Sequence, residues 1–335
     1  MSTTFPAPTR IALGGANSPD GAAGPAIELD IHQLGDDNGR PPVVFCHGFP
    51  ELAFSWRHQL PAIAEAGFRA IAPDQRGYGN SSAPPAVTDY GLGQLCGDLV
   101  DMLDALEIDR AVFVGHDWGG FVAWAMPVLF PERCAGTVGV CTPYTPFPTT
   151  ELLKTLFGDD VENLYMLWFQ EPGVAESKMD PLARLIFEKL TRGGTDPAEL
   201  SSRGIGRGKG SSFNPFMNIE SLGIYGDEIL TPEELDVYAG AFERSGFRGG
   251  INWYRNIDAN AAAYPEVGTK HLDLPTLMIC AEWDPALPPA LAANMPNMCS
   301  DLEMHTVPGA GHWVQQEFPD QVNSLIVDWL TRRFT

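Results

Sequence analysis

Short apolar runs, each closed by turn residues, recur along the first part of the chain. They are Pro42–Gly48 (PVVFCHG), Phe68–Asp74 (FRAIAPD), Ala111–Asp117 (AVFVGHD) and Ala135–Cys141 (AGTVGVC). Stretches with helical spacing separate them. Strands alternating with helices predict a mostly parallel sheet flanked by helices, an α/β fold. The rhythm stops near Tyr144 and resumes at Pro275–Asp284 (PTLMICAEWD) and Leu302–His312 (LEMHTVPGAGH). The chain closes on an amphipathic pattern, with Val322, Leu325, Ile326, Trp329 and Leu330 at helical spacing.

The interval from about Tyr144 to Glu266 shows no strand pattern. NLYMLWFQE and PLARLIFEKL read as helical. Thr231-Pro232-Glu233-Glu234 is a helix start, with a threonine cap, a proline in the first turn and a glutamate closing a capping box. Residues 193–218, rich in Gly and Ser, are predicted as a long loop. The expected architecture is a core in two parts, residues 1–143 and 266–335, with a helical lid over residues 144–265 inserted between two strands. In an open α/β sheet the ligand site lies at the carboxyl ends of the strands. A lid entered from that edge would cover it.

Composition narrows the setting. With 44% hydrophobic residues among 335, there is ample material for a core. No stretch reaches the roughly 18 apolar residues of a spanning helix. The N-terminal segment has no basic start followed by an apolar run, so a secretory signal is not expected. The six cysteines are widely spaced and lack a Cys-x-x-Cys pair, which predicts reduced core thiols and a cytoplasmic location. A net charge of -22 repels nucleic acid and anionic membranes, so neither is an expected partner.

The chemistry centres on Val114–Gly120, VGHDWGG. It follows an apolar stretch and precedes a helical one. Strand, sharp turn and helix make a nucleophile elbow, with Gly115 and Gly119 flanking the tip. The tip is Asp117, where a serine would suit acyl transfer. A carboxylate can displace a leaving group from a saturated carbon and leave an alkyl ester on the protein. His312, in the glycine-rich turn PGAGHW, is the candidate base. Asp284, at the end of LMICAEWD, is the candidate acid, with Glu282 as its competitor. Nucleophile, acid, histidine is the chain order of the α/β-hydrolase fold. The oxyanion donors expected are the backbone N–H of Trp118 and that of Phe49 in the His47-Gly48-Phe49-Pro50 turn. His47, His58, His116, His271 and His305 are read as structural or surface residues, and Asp74 and Arg76 as holding their turn. No cofactor is expected, because no His/Cys/carboxylate set has metal-ligand spacing.

HGFPE at His47, DQRGYGNS at Asp74, GHDWGG at Gly115 and GHW at Gly311 together resemble epoxide hydrolases of the α/β-hydrolase fold. The resemblance extends into the lid. YMLWFQEPGVAE, starting at Tyr165, and NWYRN, ending at Asn256, are similar to the two segments that carry the family's active-site tyrosines. It implies that Tyr165 and Tyr254 direct their phenols at the epoxide oxygen, and that the partner is a small apolar epoxide. Trp168, Phe169, Phe216 and Met217 are candidates to line the pocket. A haloalkane dehalogenase is the nearest alternative, since it shares the aspartate and histidine. Phe49, however, offers no side-chain donor for a halide, and the paired tyrosines would have no task. A ligand-binding protein without activity is the alternative from another class, but none of the five polar site residues is missing.

Overall fold

One sheet of eight strands carries the fold. The computed structural model describes residues 5–15, 17, 19, 26–158, 160–202 and 213–335. Its strands are β1 (Thr9–Leu13), β2 (Ile27–Leu34), β3 (Val43–Cys46), β4 (Ala70–Pro73), β5 (Ala111–His116), β6 (Cys134–Val140), β7 (Leu272–Ala281) and β8 (Cys299–Val307). Their order across the sheet is β1-β2-β4-β3-β5-β6-β7-β8. From β4 through β8 the neighbours run parallel, and β2 is antiparallel to both β1 and β4. The strands from β3 onward are those the apolar runs predict. β1 and β2 are additions. In β2, Ile27, Leu29 and Ile31 alternate with Glu28, Asp30 and His32, a period-two signal that a search for continuous apolar runs passes over.

The central strands are apolar throughout because both faces are covered. Successive residues enter opposite layers. Val44, Cys46, Ile71 and Phe113 join one core, with α2 (Leu92–Ala105) and α3 (Trp118–Leu129) packed on it. Val43, Phe45, Ala70, Val112 and Val114 join the other, under α1 (Gln59–Glu65) and α14 (Pro319–Phe334). All six cysteines are buried and free of disulfides. Among the described residues, no helix is long and apolar enough to cross a membrane.

Between β6 and β7 the described chain holds no sheet strand, only two isolated bridges. Its helices are α4 (Thr150–Phe157), α5 (Tyr165–Trp168), α6 (Val174–Met179), α7 (Ala183–Leu190), α8 (Pro197–Ser202), α9 (Pro232–Ser245), α10 (Arg248–Arg255) and α11 (Ile257–Ala263). Short helices α12 (Met295–Met298) and α13 (Val314–Glu317) flank β8. The capping box at Thr231 is formed in both directions: Glu234 N donates to the threonine hydroxyl, and Thr231 N donates to the Glu234 carboxylate. Two expectations need correction. The loop expected over 193–218 contains α8, and residues 203–212 lie outside the described residues. The helix expected at NLYMLWFQE is reduced to α5. Leu164 is extended and bridged to Phe213, and Pro172 disfavours helix at Glu171 before it.

Candidate active site

Asp117 sits between β5 and α3 with φ 50 and ψ -121. Such a backbone costs a residue with a side chain about 1–3 kcal/mol and persists only where its surroundings over-determine it. Here the Asp117 carbonyl accepts from Gly120 N at 3.0 Å and from Thr142 Oγ1 at 2.7 Å. The turn closes tightly on β3: a Cβ on Gly119 would lie 2.0 Å from the Cys46 carbonyl oxygen, and one on Gly48 would lie 2.4 Å from Asp117 Cβ. Glycine is therefore required at both places, and the Asp117 side chain is held against the turn that follows β3.

That turn includes a cis Phe49–Pro50 bond. Phe49 N donates to Asp117 Oδ1 at 2.8 Å. Burial pushes the Asp117 carboxyl above its ordinary value, while His312, His116 and the Phe49 and Trp118 amides pull the other way. His312 Nε2 lies 3.8 Å from Asp117 Oδ2, and His312 Nδ1 meets Asp284 Oδ2 at 2.9 Å. The other oxygen of Asp284 accepts from the amides of Ala286 and Leu287. Burial would raise Asp284, but the charge and hydrogen bond of His312, with the two amides, hold it at about 2. Burial would likewise lower His312, and the Asp284 carboxylate, aided by Asp117 and Glu51, lifts it to about 9. Glu282 is exposed and accepts from Gly309 N instead.

Tyr254 is buried on α10, and Tyr165 is half-buried on α5. Their rings meet edge to face, 5.6 Å apart. Burial drives the Tyr254 phenol well above its usual pKa, and Tyr165 and Asp117 add to the rise. The two phenols are mounted differently. α10 is pressed onto the core: a Cβ on Gly249 would lie 2.2 Å from the Gly77 carbonyl oxygen, and Trp253 Nε1 donates to Arg76 O at 3.2 Å. Tyr165 rests on the rings of Phe169, Phe213 and Phe216, within the inserted helical segment.

A cavity of about 370 Å³ opens on Phe49, Asp117, Tyr165, Tyr254 and His312. Of the four candidate lining residues, Phe216 reaches it. Trp168, Phe169 and Met217 do not, which corrects that expectation. Phe169 is wholly buried behind the phenols, one helical turn from Tyr165 on the same face, and contacts Tyr254 and Phe49. Trp168 packs on Phe169 in the core, and Met217, next to Phe216 in a turn, is half-buried outside the cavity lining. Leu190, Phe213, Leu222, Trp283 and Trp313 supply the rest of an apolar wall.

Glu51 is a residue the sequence reading missed. It is buried, accepts from Gly48 N at 2.6 Å and meets His116 Nδ1 at 2.7 Å. His116 Nε2 in turn bonds the His312 carbonyl oxygen at 2.7 Å. The available signal was the last residue of HGFPE, an acid directly after the His47–Pro50 turn. His116, Cys141 and His312 bring possible ligand atoms within 4.8 Å of one another. The His116 and His312 bonds just described engage three of those ring nitrogens, so the donor set does not suit a metal.

The arrangement has counterparts in known proteins. A family model described as alpha/beta hydrolase fold matches residues 41–168. Epoxide hydrolase A of Mycobacterium tuberculosis is 37% identical over 311 residues, 91% of this chain and 94% of that protein. Bifunctional epoxide hydrolase 2 of Sus scrofa is 37% identical over 91% of this chain, which spans only 54% of that longer protein. The crystal structure of epoxide hydrolase A from Mycobacterium thermoresistibile matches with a TM-score of 0.83 at 36% identity, covering 98% of this chain and 99% of that one. A strand-borne aspartate elbow, a histidine–aspartate pair and a helical segment between β6 and β7 thus coincide with likeness over 91% or more of the chain, which belongs to the epoxide hydrolases of the α/β-hydrolase fold.

Proposed function

We propose that the chain converts a small apolar epoxide to a vicinal diol through a covalent alkyl ester on Asp117. Asp117, His312 and Asp284 form the triad, Tyr165 and Tyr254 donate to the departing oxygen, and the Phe49 and Trp118 amides form the oxyanion hole. The reading takes residues 144–265 as the lid and residues 1–143 and 266–335 as the core. A cytoplasmic location belongs to it, supported by the buried, unpaired cysteines.

The observation that carries the proposal is the meeting of two phenols in the cavity shared by Asp117 and His312. Opening an epoxide produces an alkoxide, a strong base and a poor leaving group until protonated. A phenol with an unperturbed pKa of about 10 keeps its proton at neutral pH and can donate it. Departing halide needs no proton, so paired phenols support epoxide over haloalkane.

Phe49 N–H already holds Asp117 Oδ1, which leaves Oδ2 as the attacking atom. As the Oδ2–carbon bond forms, the epoxide carbon–oxygen bond breaks and its electron pair goes to the oxygen, which takes a phenol proton. The ester carbonyl oxygen is then Oδ1, already at its donor. Alkylation also cancels the Asp117 charge, one of the influences that lift His312. The ring thereby releases its proton more readily once the ester is waiting. Water, deprotonated at His312 Nε2, attacks the ester carbonyl carbon, and the amides hold the oxyanion. Collapse of the tetrahedral centre expels the diol, with His312 returning the proton and Asp284 stabilising the imidazolium; the proton left on the regenerated Asp117 carboxyl group restores the phenolate to a phenol. The scheme uses no cofactor.

A single turnover in heavy-oxygen water, with enzyme in excess, tests this. The diol should emerge unlabelled and Asp117 should carry the label. Fully labelled diol after one turnover would overturn the covalent route and demote Asp117 to a base.

A further inference from the structure

Three consecutive polar residues on α13, directly after the histidine loop, reach three different parts of the molecule. Gln315 Nε2 donates to Glu51 Oε1 at 2.9 Å. Gln316 Oε1 accepts from Arg57 NH1 at 2.6 Å and from the Tyr238 hydroxyl of α9 at 3.1 Å. Glu317 accepts three backbone N–H groups. Its Oε2 takes those of Gly311 and Gly194, both at 2.8 Å, and its Oε1 takes that of Trp313 at 3.0 Å.

Gly311 and Trp313 flank His312, and Gly194 belongs to the segment after α7. The two backbones are in close approach, since a Cβ on Gly194 would lie 2.6 Å from Gly311 N. Trp313 Nε1 adds a second tie, donating to the Leu190 carbonyl at the end of α7 at 2.7 Å. Gly194, Gly311 and Trp313 also line the cavity. The seam between the inserted helices and the histidine loop is therefore a wall of the site, closed by the side chains of Glu317 and Trp313.

We propose that Glu317 is a positioning residue for the second half-reaction, clamping the edge at Gly194 to the loop that aims His312. The inference rests on the two-step reading above. A carboxylate is suited to the task because both of its oxygens accept, and hydrogen bonds to a charged acceptor are the stronger kind. A glutamine of the same shape has a single acceptor oxygen. It would turn an N–H₂ group toward main-chain N–H donors and leave at least one of them unpaired. His312 would then lose the fixed ends of its loop. A displacement of about 1 Å at a reacting group can cost on the order of 10²-fold in rate.

The test uses Glu317→Gln and Gly194→Ala in single turnovers of styrene oxide. Intact-protein mass follows the ester on Asp117, and hydrogen exchange follows residues 190–194 and 311–313. Glu317→Gln should form the ester at close to the unsubstituted rate and hydrolyse it roughly tenfold to 10²-fold more slowly, and in Gly194→Ala, at the cavity wall, hydrolysis should fall by more than ester formation does. Exchange should quicken on both sides of the seam together. If Glu317→Gln lowers the melting temperature but clears the ester at the unsubstituted rate, Glu317 is merely structural and the proposal fails. If Gly194→Ala clears it normally while Glu317→Gln does not, the tie to the inserted helices is refuted. Should Glu317→Gln not fold, Gly194→Ala carries the same measurements. An unsubstituted protein that forms no ester contradicts the two-step reading alone. Exchange then decides the clamp, and unchanged protection at Gly194 and Gly311 in Glu317→Gln overturns it.

Discussion

Replacing Asp284 by asparagine should change the tautomer of His312. In the native pair, one carboxylate oxygen serves the Ala286 and Leu287 amides at 2.8 and 2.9 Å, and the other serves His312 Nδ1 at 2.9 Å. Asparagine retains one oxygen. Two main-chain donors compete for it against one ring nitrogen, so the carbonyl turns to the amides and the N–H₂ group faces the ring. His312 must then present a lone pair at Nδ1 and carry its proton on Nε2. Nε2 is the nitrogen 3.8 Å from Asp117 Oδ2, on the side where water is to be deprotonated, and a protonated Nε2 cannot accept. The stabilisation of the imidazolium is lost as well. Its rise from 6.5 to about 9 corresponds to about 3 kcal/mol, with Asp284 the largest favourable influence. Losing most of that is worth on the order of 10²-fold in ester hydrolysis before the tautomer is counted. Alkylation needs Asp117 and the phenols and should hold near its original rate. Rapid quenching with intact-mass detection separates the two rates. Equal losses in both half-reactions, or ester cleared at the unsubstituted rate, would refute the reasoning.

The two phenols and the pH response supply two more tests. Tyr165→Phe and Tyr254→Phe should each slow ester formation, and the double variant should lose at least about 10²-fold, the lower range for general acid assistance. A double variant that alkylates Asp117 normally would return both rings to a packing role. His312 has a folded pKa above its unfolded one, so its charge stabilises the fold fully below pH 6.5, and that contribution is lost as pH rises through about 9. Asp284 behaves oppositely, with its contribution present above 3.8 and lost as pH falls through about 2. The melting-temperature difference between the unsubstituted chain and His312→Gln should therefore shrink between pH 6.5 and 9, and a constant difference across that window would count against the coupling.

The residues that were legible in the sequence share a local signature. Asp117, Asp284 and His312 each stand in a turn after an apolar run, where strand direction alone brings them to one edge of the sheet. Even the choice of Asp284 over Glu282 has a local basis. Glu282 follows Ala281 at the end of β7 and stays exposed, whereas the following turn brings Asp284 back under the ring. Tyr165 and Tyr254 have no such signature, and resemblance to a family singled them out. Glu51 and Glu317 were not singled out, and His116 was read only as a structural or surface residue, because their contacts are created by elements distant in sequence. Glu51 meets Gln315 across 264 positions, and nothing near either residue announces the contact. The missed strands β1 and β2 have a different cause. Ile27, Leu29 and Ile31 alternate with polar residues and form no continuous apolar run, and the burial of Asp30 comes from β1 beside it, where Arg10 supplies its partner.

The contact of Gly249 with Gly77 divides the cavity into a fixed wall and an adjustable one. Backbone against backbone leaves no side chain that could be trimmed or enlarged to slide α10, so Tyr254 inherits its height above Asp117 from the core itself. Phe213, Phe216 and Leu222 also line the cavity, and their side chains can change volume without touching that seam. Evolution or an engineer can therefore retailor the width of the cavity there while Tyr254 keeps its aim, although Tyr165, which rests on Phe213 and Phe216, feels the change. Libraries meant to broaden or shift selectivity belong on residues 213–225, and α10 is the part to leave alone.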